Sequence, residues 1–96
     1  LCSNGKIFSG TNIENASYGL TVCAERVAIF KAISEGQMDW DKMAIYSDGK
    51  SLPLPCGACL QVMMEFCPGL KIIVTNSGTD YKEYQLVELL PNAFSL

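Results

Sequence analysis

Two cysteine-bearing helix starts constrain this chain more than any other feature. Cys23-Ala24-Glu25 and Pro55-Cys56-Gly57-Ala58-Cys59 each follow a loop and open an apolar stretch that reads as a helix. At a helix N-terminus the unpaired N–H groups and the helix dipole favour a negative thiolate. Two such starts can meet over the carboxyl ends of neighbouring strands, where α/β sheets carry their sites. A fold that satisfies both motifs therefore brings their thiols together.

The remaining pattern supplies such a sheet. Lys6–Gly10 reads as a strand, the second arm of a hairpin turning at Ser3-Asn4-Gly5. Thr11–Leu20 is a polar loop, and 22–35 reads as a helix stopped by Gly36. That helix is apolar nearly all round past its first turn, so it is expected to be buried on all sides, with a partner subunit's help. Lys42–Ser47 is the next strand, and 57–67 a second helix stopped by Pro68. Leu70–Thr75 is a continuous apolar strand, expected in a sheet covered on both faces. A turn over 76–80, a short strand at Tyr81–Gln85 and a helical turn at Leu86–Leu90 complete the chain. Strands alternating with helices give an α/β class with a mostly parallel, mixed sheet.

Ninety-six residues make a single domain, 1–96, with a modest core that gains from a metal or from partner subunits. Leu1 opens on what reads as the middle of a strand, so a preceding segment is expected. Net charge is −3, and the seven basic residues are scattered, which excludes a phosphate-binding stripe and with it a nucleic-acid polymer as ligand. No apolar run approaches the ~20 residues of a membrane span. Five cysteines, an odd number, argue against a closed disulfide framework and for a reducing, cytoplasmic compartment.

Three thiolates, from Cys23, Cys56 and Cys59, would hold zinc and leave a fourth position open, the mark of a catalytic site. Glu25, two residues after a ligand, can reach a water there and carry its proton without ligating the metal. Three thiolates on one Zn²⁺ leave an excess negative charge, and Arg26 is placed to compensate it. Other uses of the cysteines compete with this reading. Cys56 and Cys59 alone match the thioredoxin arrangement of a redox pair. Cys67 is the obvious fourth ligand of a structural Cys₄ site, yet eight helical residues beyond Cys59 place it ~12 Å away, against a Zn–S bond of ~2.3 Å. Cys2 stays open as a fourth ligand.

A catalytic Cys₃ zinc, a non-ligating Glu and P-C-x-x-C form the chemistry of zinc deaminases. C-A-E-R, P-C-G-A-C, the N-I-E-N-A-S-Y-G-L-T stretch and the E-L-L-P-N-A-F ending together resemble the small homotetrameric cytidine deaminases, over about Lys6 to Phe94. The resemblance implies a three-layer α/β/α fold with a mixed sheet and one zinc per chain. It implies hydrolytic deamination of cytidine and deoxycytidine to uridine and deoxyuridine, with release of ammonia, in pyrimidine salvage. By the same resemblance Asn12 and Glu14 bind the ribose hydroxyls, and the Ala24 backbone reads the pyrimidine edge. Phe94 caps the base in a neighbouring subunit of a homotetramer with shared active sites. Two departures stand out. The family's amino-terminal helix and first strand are missing from this chain, and Leu60 stands where many members carry an Arg. A deaminase of a modified cytosine nucleoside, of the blasticidin type, is the nearest rival.

Overall fold

The computed structural model describes residues 1–77 and 80–95. A single 3-10 turn at Tyr18–Leu20 interrupts the long first loop. The elements that follow are α1 (Ala24–Ser34), β1 (Lys42–Tyr46), α2 (Gly57–Phe66), β2 (Lys71–Thr75), β3 (Tyr81–Gln85) and the short α3 (Leu86–Leu89). The three strands form one mixed sheet in the order β1-β2-β3. β1 and β2 are parallel, with Ile45 beside Val74; β2 and β3 are antiparallel, with Ile72 beside Tyr84. The mixed sheet and its helices agree with the expected fold class.

Local chemistry explains where the helices stop. Gly36 adopts φ +76, and the N–H groups of Gly36 and Gln37 bond back to the carbonyls of Ile33 and Ala32. This is a Schellman end, which needs a residue free of Cβ strain in the left-handed region. α2 ends at Phe66 because Pro68 cannot continue it.

The core lies on one face of the sheet. Ile72 and Val74 of β2 are fully buried together with Met63 of α2, Leu86 of α3 and Leu70. Cys59 is buried among them, so one candidate ligand is set in the rigid core itself. The opposite face is open, with Ala44, Tyr46 and Tyr81 exposed and Ile73 half-buried. The continuous apolar run of β2 is therefore covered fully on one side only.

One further expectation needs correction. Residues 6–10 form no strand, although the turn at 3–5 is present, closed by the Cys2 N–H on the Lys6 carbonyl at 2.8 Å. The hydrogen-bonding edge that could pair with them belongs to β1, and a cavity of about 740 Å³ lined by Ile7, Phe8, Met43 and Ile45 lies there instead. A strand needs a neighbour about 4.8 Å away, and without one the segment stays extended but unpaired. Within this chain alone α1 is not buried all round, and the burial expected of it with a partner subunit concerns surface that this chain leaves open. Of α1 only Ile29 and Ala32 are buried, in the same core as Ile72 and Val74, while Phe30 is 47% exposed. The expected turn over 76–80 falls partly outside the described residues.

Candidate active site

The loop of residues 11–22 delivers the first cysteine. Ile13 and Val22 exchange both backbone hydrogen bonds, at 2.9 and 3.0 Å, and so close the loop at its base. Its near end lies against α1 because Gly10 has no side chain. A Cβ there would sit 2.5 Å from the Ala24 carbonyl oxygen and 2.7 Å from the Ala28 nitrogen. The second cysteine motif follows β1 through the loop of residues 47–56. The buried Asn76, just past β2, holds that loop by donating from Nδ2 to the Lys50 carbonyl at 2.8 Å. Neither Gly10 nor Asn76 stands out in the sequence, because their importance lies in which backbone they touch.

Cys23 and Cys56 occupy the N-cap positions of α1 and α2, and neither side chain caps its own helix. Their sulfurs face each other at 3.7 Å, and Cys56 and Cys59 are 3.4 Å apart. All three sulfurs lie within 4.8 Å of one another. Tetrahedral zinc with Zn–S bonds of ~2.3 Å requires sulfurs about 3.8 Å apart, so the triangle fits the metal. Among the described residues this is the one group of three or more His, Cys, Asp or Glu side chains placed to hold an ion. Cys2 is buried in the core, and Cys67 donates to the Trp40 carbonyl at 3.3 Å, which removes both as fourth ligands.

The electrostatics of the cluster are uneven. The backbone N–H of Cys59, in the first turn of α2, holds the Cys56 thiol below its ordinary range. Burial pushes the Cys59 thiol well up, and the neighbouring Cys56 and Cys23 sulfurs push it further. Arg26 reaches the same sulfurs, with Nη2 3.7 Å from Cys23 Sγ. Hydrogen bonding to Cys23, then Cys59, raises the Arg26 pKa. Its Nε is buried with no hydrogen-bond partner among the described residues.

Glu25 stands beside this cluster, with Oε2 accepting from Cys59 Sγ at 3.9 Å. It lines the 740 Å³ cavity together with Asn12 and Ala24. Asn12 Oδ1 accepts the Ala24 N–H at 2.8 Å. Glu14 is exposed on the outer part of the loop. Phe94 is 72% exposed, while Gln61 Nε2 donates to its carbonyl at 2.9 Å. Leu60 is buried in the core and brings no charge to the cluster.

Comparison with known proteins agrees with this geometry. Residues 1–75 match the family model of the cytidine and deoxycytidylate deaminase zinc-binding region. A cytidine deaminase of Halalkalibacterium halodurans is 51% identical over 96 residues, which span 99% of this chain and 73% of that protein. A cytidine deaminase of Sporosarcina psychrophila is 45% identical over 99% of this chain and 71% of its own length. The crystal structure of cytidine deaminase from Burkholderia pseudomallei superposes with a TM-score of 0.93 at 41% identity, covering 98% of this chain and 76% of that one.

Proposed function

The chain belongs to the cytidine and deoxycytidylate deaminase family, and from that premise we propose that it deaminates cytidine and deoxycytidine hydrolytically. The observation that carries the reading is the carboxylate of Glu25 set beside three converging thiols at the wall of an open cavity. Cys23, Cys56 and Cys59 hold one zinc per chain, and zinc there supplies a Lewis acid that lets a water lose its proton near neutral pH.

The chain's own residues do the rest. Glu25 takes the proton from the attacking water and delivers it to the ring nitrogen of the pyrimidine. The water oxygen bonds to the ring carbon that bears the amine. Glu25 then passes the second water proton to that amine, the carbon–nitrogen bond breaks, and ammonia leaves with a carbonyl in its place. The Ala24 N–H holds the pyrimidine carbonyl, and Asn12 and Glu14 hold the ribose hydroxyls. Arg26 balances the excess thiolate charge.

The assembly is a homotetramer in which Phe94 closes a neighbour's site. Its support is an apolar flank on α1, where Ile13, Val22, Val27 and Phe30 line a shallow groove. The pathway is pyrimidine salvage in the cytoplasm, where free thiols stay reduced. No described helix is long and apolar enough to cross a membrane.

Purified protein with its zinc quantified, incubated with cytidine, deoxycytidine and adenosine, tests the reading. Loss of cytidine absorbance with release of one ammonia per nucleoside is expected, with adenosine untouched. Bound zinc without turnover would leave an interaction module, and thiol–disulfide exchange without zinc would leave a redox protein.

A further inference from the structure

The loop of residues 47–56 carries Cys56 from the end of β1 to the start of α2. Ser47 still donates its N–H to the Thr75 carbonyl at 3.2 Å, and there the chain leaves the sheet. Among the described residues, one hydrogen bond ties 48–55 to the rest of the fold, from Asn76 Nδ2 to the Lys50 carbonyl at 2.8 Å. Asn76 is the one buried polar residue among those described, 6% exposed. A carboxamide is costly to bury, so its place is set by the bonds it makes.

Between that bond and the metal ligand the backbone has little freedom. Leu52-Pro53-Leu54-Pro55 leads directly into Cys56. Proline fixes its own φ, and the residue before a proline is confined to extended conformations. All four residues are therefore restricted. Leu52 packs against the core and Pro55 is buried, whereas Cys56 itself is exposed. Cys56 continues the extended path, with φ −74 and ψ 164, before α2 begins. Its sulfur makes no cap bond to its own helix and faces Cys23 at 3.7 Å. Cys59 differs, because its own burial in α2 holds it in place.

We propose that Asn76 is a positioning residue for the metal ligand Cys56. It fixes the far end of a stiff proline arm, so the thiol already stands near its partners before a metal binds. The inference rests on the zinc that the function proposed above gives to Cys23, Cys56 and Cys59, and it is independent of the nucleoside. A ligand group held in its bound position loses little freedom on binding. A slack arm must be ordered when the metal binds, and that entropy lowers the affinity. An Asn76 that served the fold alone would change the melting temperature and leave the zinc affinity of the folded chain as it was.

Zinc affinity of the folded protein, measured at one pH by competition with a chromophoric chelator, tests this. Asn76→Ala removes the donor, and zinc should bind about three- to tenfold more weakly, the scale of one net hydrogen bond. Lys50→Ala keeps the carbonyl and should bind zinc like the unaltered protein. Pro53→Gly slackens the arm in its middle and should weaken zinc by a similar factor. In the double variant the two factors should multiply to less than their product, because stiffness is of no use to an arm whose end is free. Unchanged affinity in folded Asn76→Ala, or two factors that multiply in full, would overturn the inference. Should Asn76→Ala not fold, unchanged affinity in Pro53→Gly would overturn it alone. Zinc content of the unaltered protein is the separate arm. Zinc present without these shifts sinks only the role of Asn76, and absence of zinc sinks the proposed function with it.

Discussion

Arg26 Nη2 lies 3.7 Å from Cys23 Sγ, and the neighbouring Nε of the same guanidinium is buried with no hydrogen-bond partner among the described residues. A permanent cation held against thiolates reduces the excess negative charge that three of them would place on a metal. Leu60, apolar and buried, cannot share the task. Arg26→Gln should therefore keep zinc but lower kcat roughly ten- to a hundredfold, the scale of a lost charged hydrogen bond of about 1.5–3 kcal/mol. With more charge left on the thiolates the attacking water is a weaker acid, so the acidic limb of the pH–rate profile should move upward. A profile that keeps its limb would assign the compensation to another group.

Glu25 has its carboxylate beside the sulfur cluster and is not among the residues grouped to hold an ion. Replacing it by Gln keeps size and polarity and would remove the proposed proton carrier. The kcat should fall by ~10²–10⁴ while zinc per chain, measured by elemental analysis, stays the same. Activity within a few-fold of normal would require a different shuttle.

Burial holds the metal-free Cys59 thiol protonated at neutral pH. Zinc takes thiolates, so its binding must expel at least that proton. Raised acidity of the medium opposes the release, and the affinity should rise at least about tenfold for each pH unit between 6 and 8. Competition with a chromophoric chelator at pH 6, 7 and 8 measures the slope, and a flat result would mean that the cluster is already ionised. Cys67→Ala should leave zinc content unchanged, because Cys67 lies outside the cluster.

Gly10 packs on the backbone of α1 so closely that a methyl group would fall 2.5 Å from the Ala24 oxygen. Gly10→Ala should cost about 1–3 kcal/mol, as overpacking does. The melting temperature should drop, and the Ala24 amide resonance should shift as Asn12 is pushed away. An unchanged melting temperature would show that the segment can move aside freely.

The proposed homotetramer, with Phe94 exposed and its backbone held by Gln61, predicts complementation between chains. On the proposed assembly Glu25→Ala would disable the site on its own zinc, and Phe94→Ala would disable a neighbour's. Refolded together, the two variants should exceed the summed activity of the separate proteins. A mixture that only matches that sum, with mixed assembly confirmed by mass, would show that Phe94 does not serve a neighbour's site.

The chemistry of the site was legible in the amino-acid sequence because it depends on residue type at short spacing. Cys23 with Glu25, and Cys56 with Cys59, fall within one helical turn of a helix start, so local geometry alone fixes how each pair is presented. The same holds for α1, α2, β2 and β3, whose stops and apolar runs are local signals. Tertiary structure decided what depends on neighbours distant in sequence. Residues 6–10 have the composition of a strand but form none, since a strand exists only where another backbone lies alongside it. The apolar surface of α1 stays partly exposed because burial is set by what packs against a helix, which the helix's own residues do not encode. Asn12 in the sequence is one polar loop residue among several. Only the folded chain puts its carboxamide on the Ala24 N–H, because that contact needs Gly10 to let the loop approach and the Ile13–Val22 closure to hold it there.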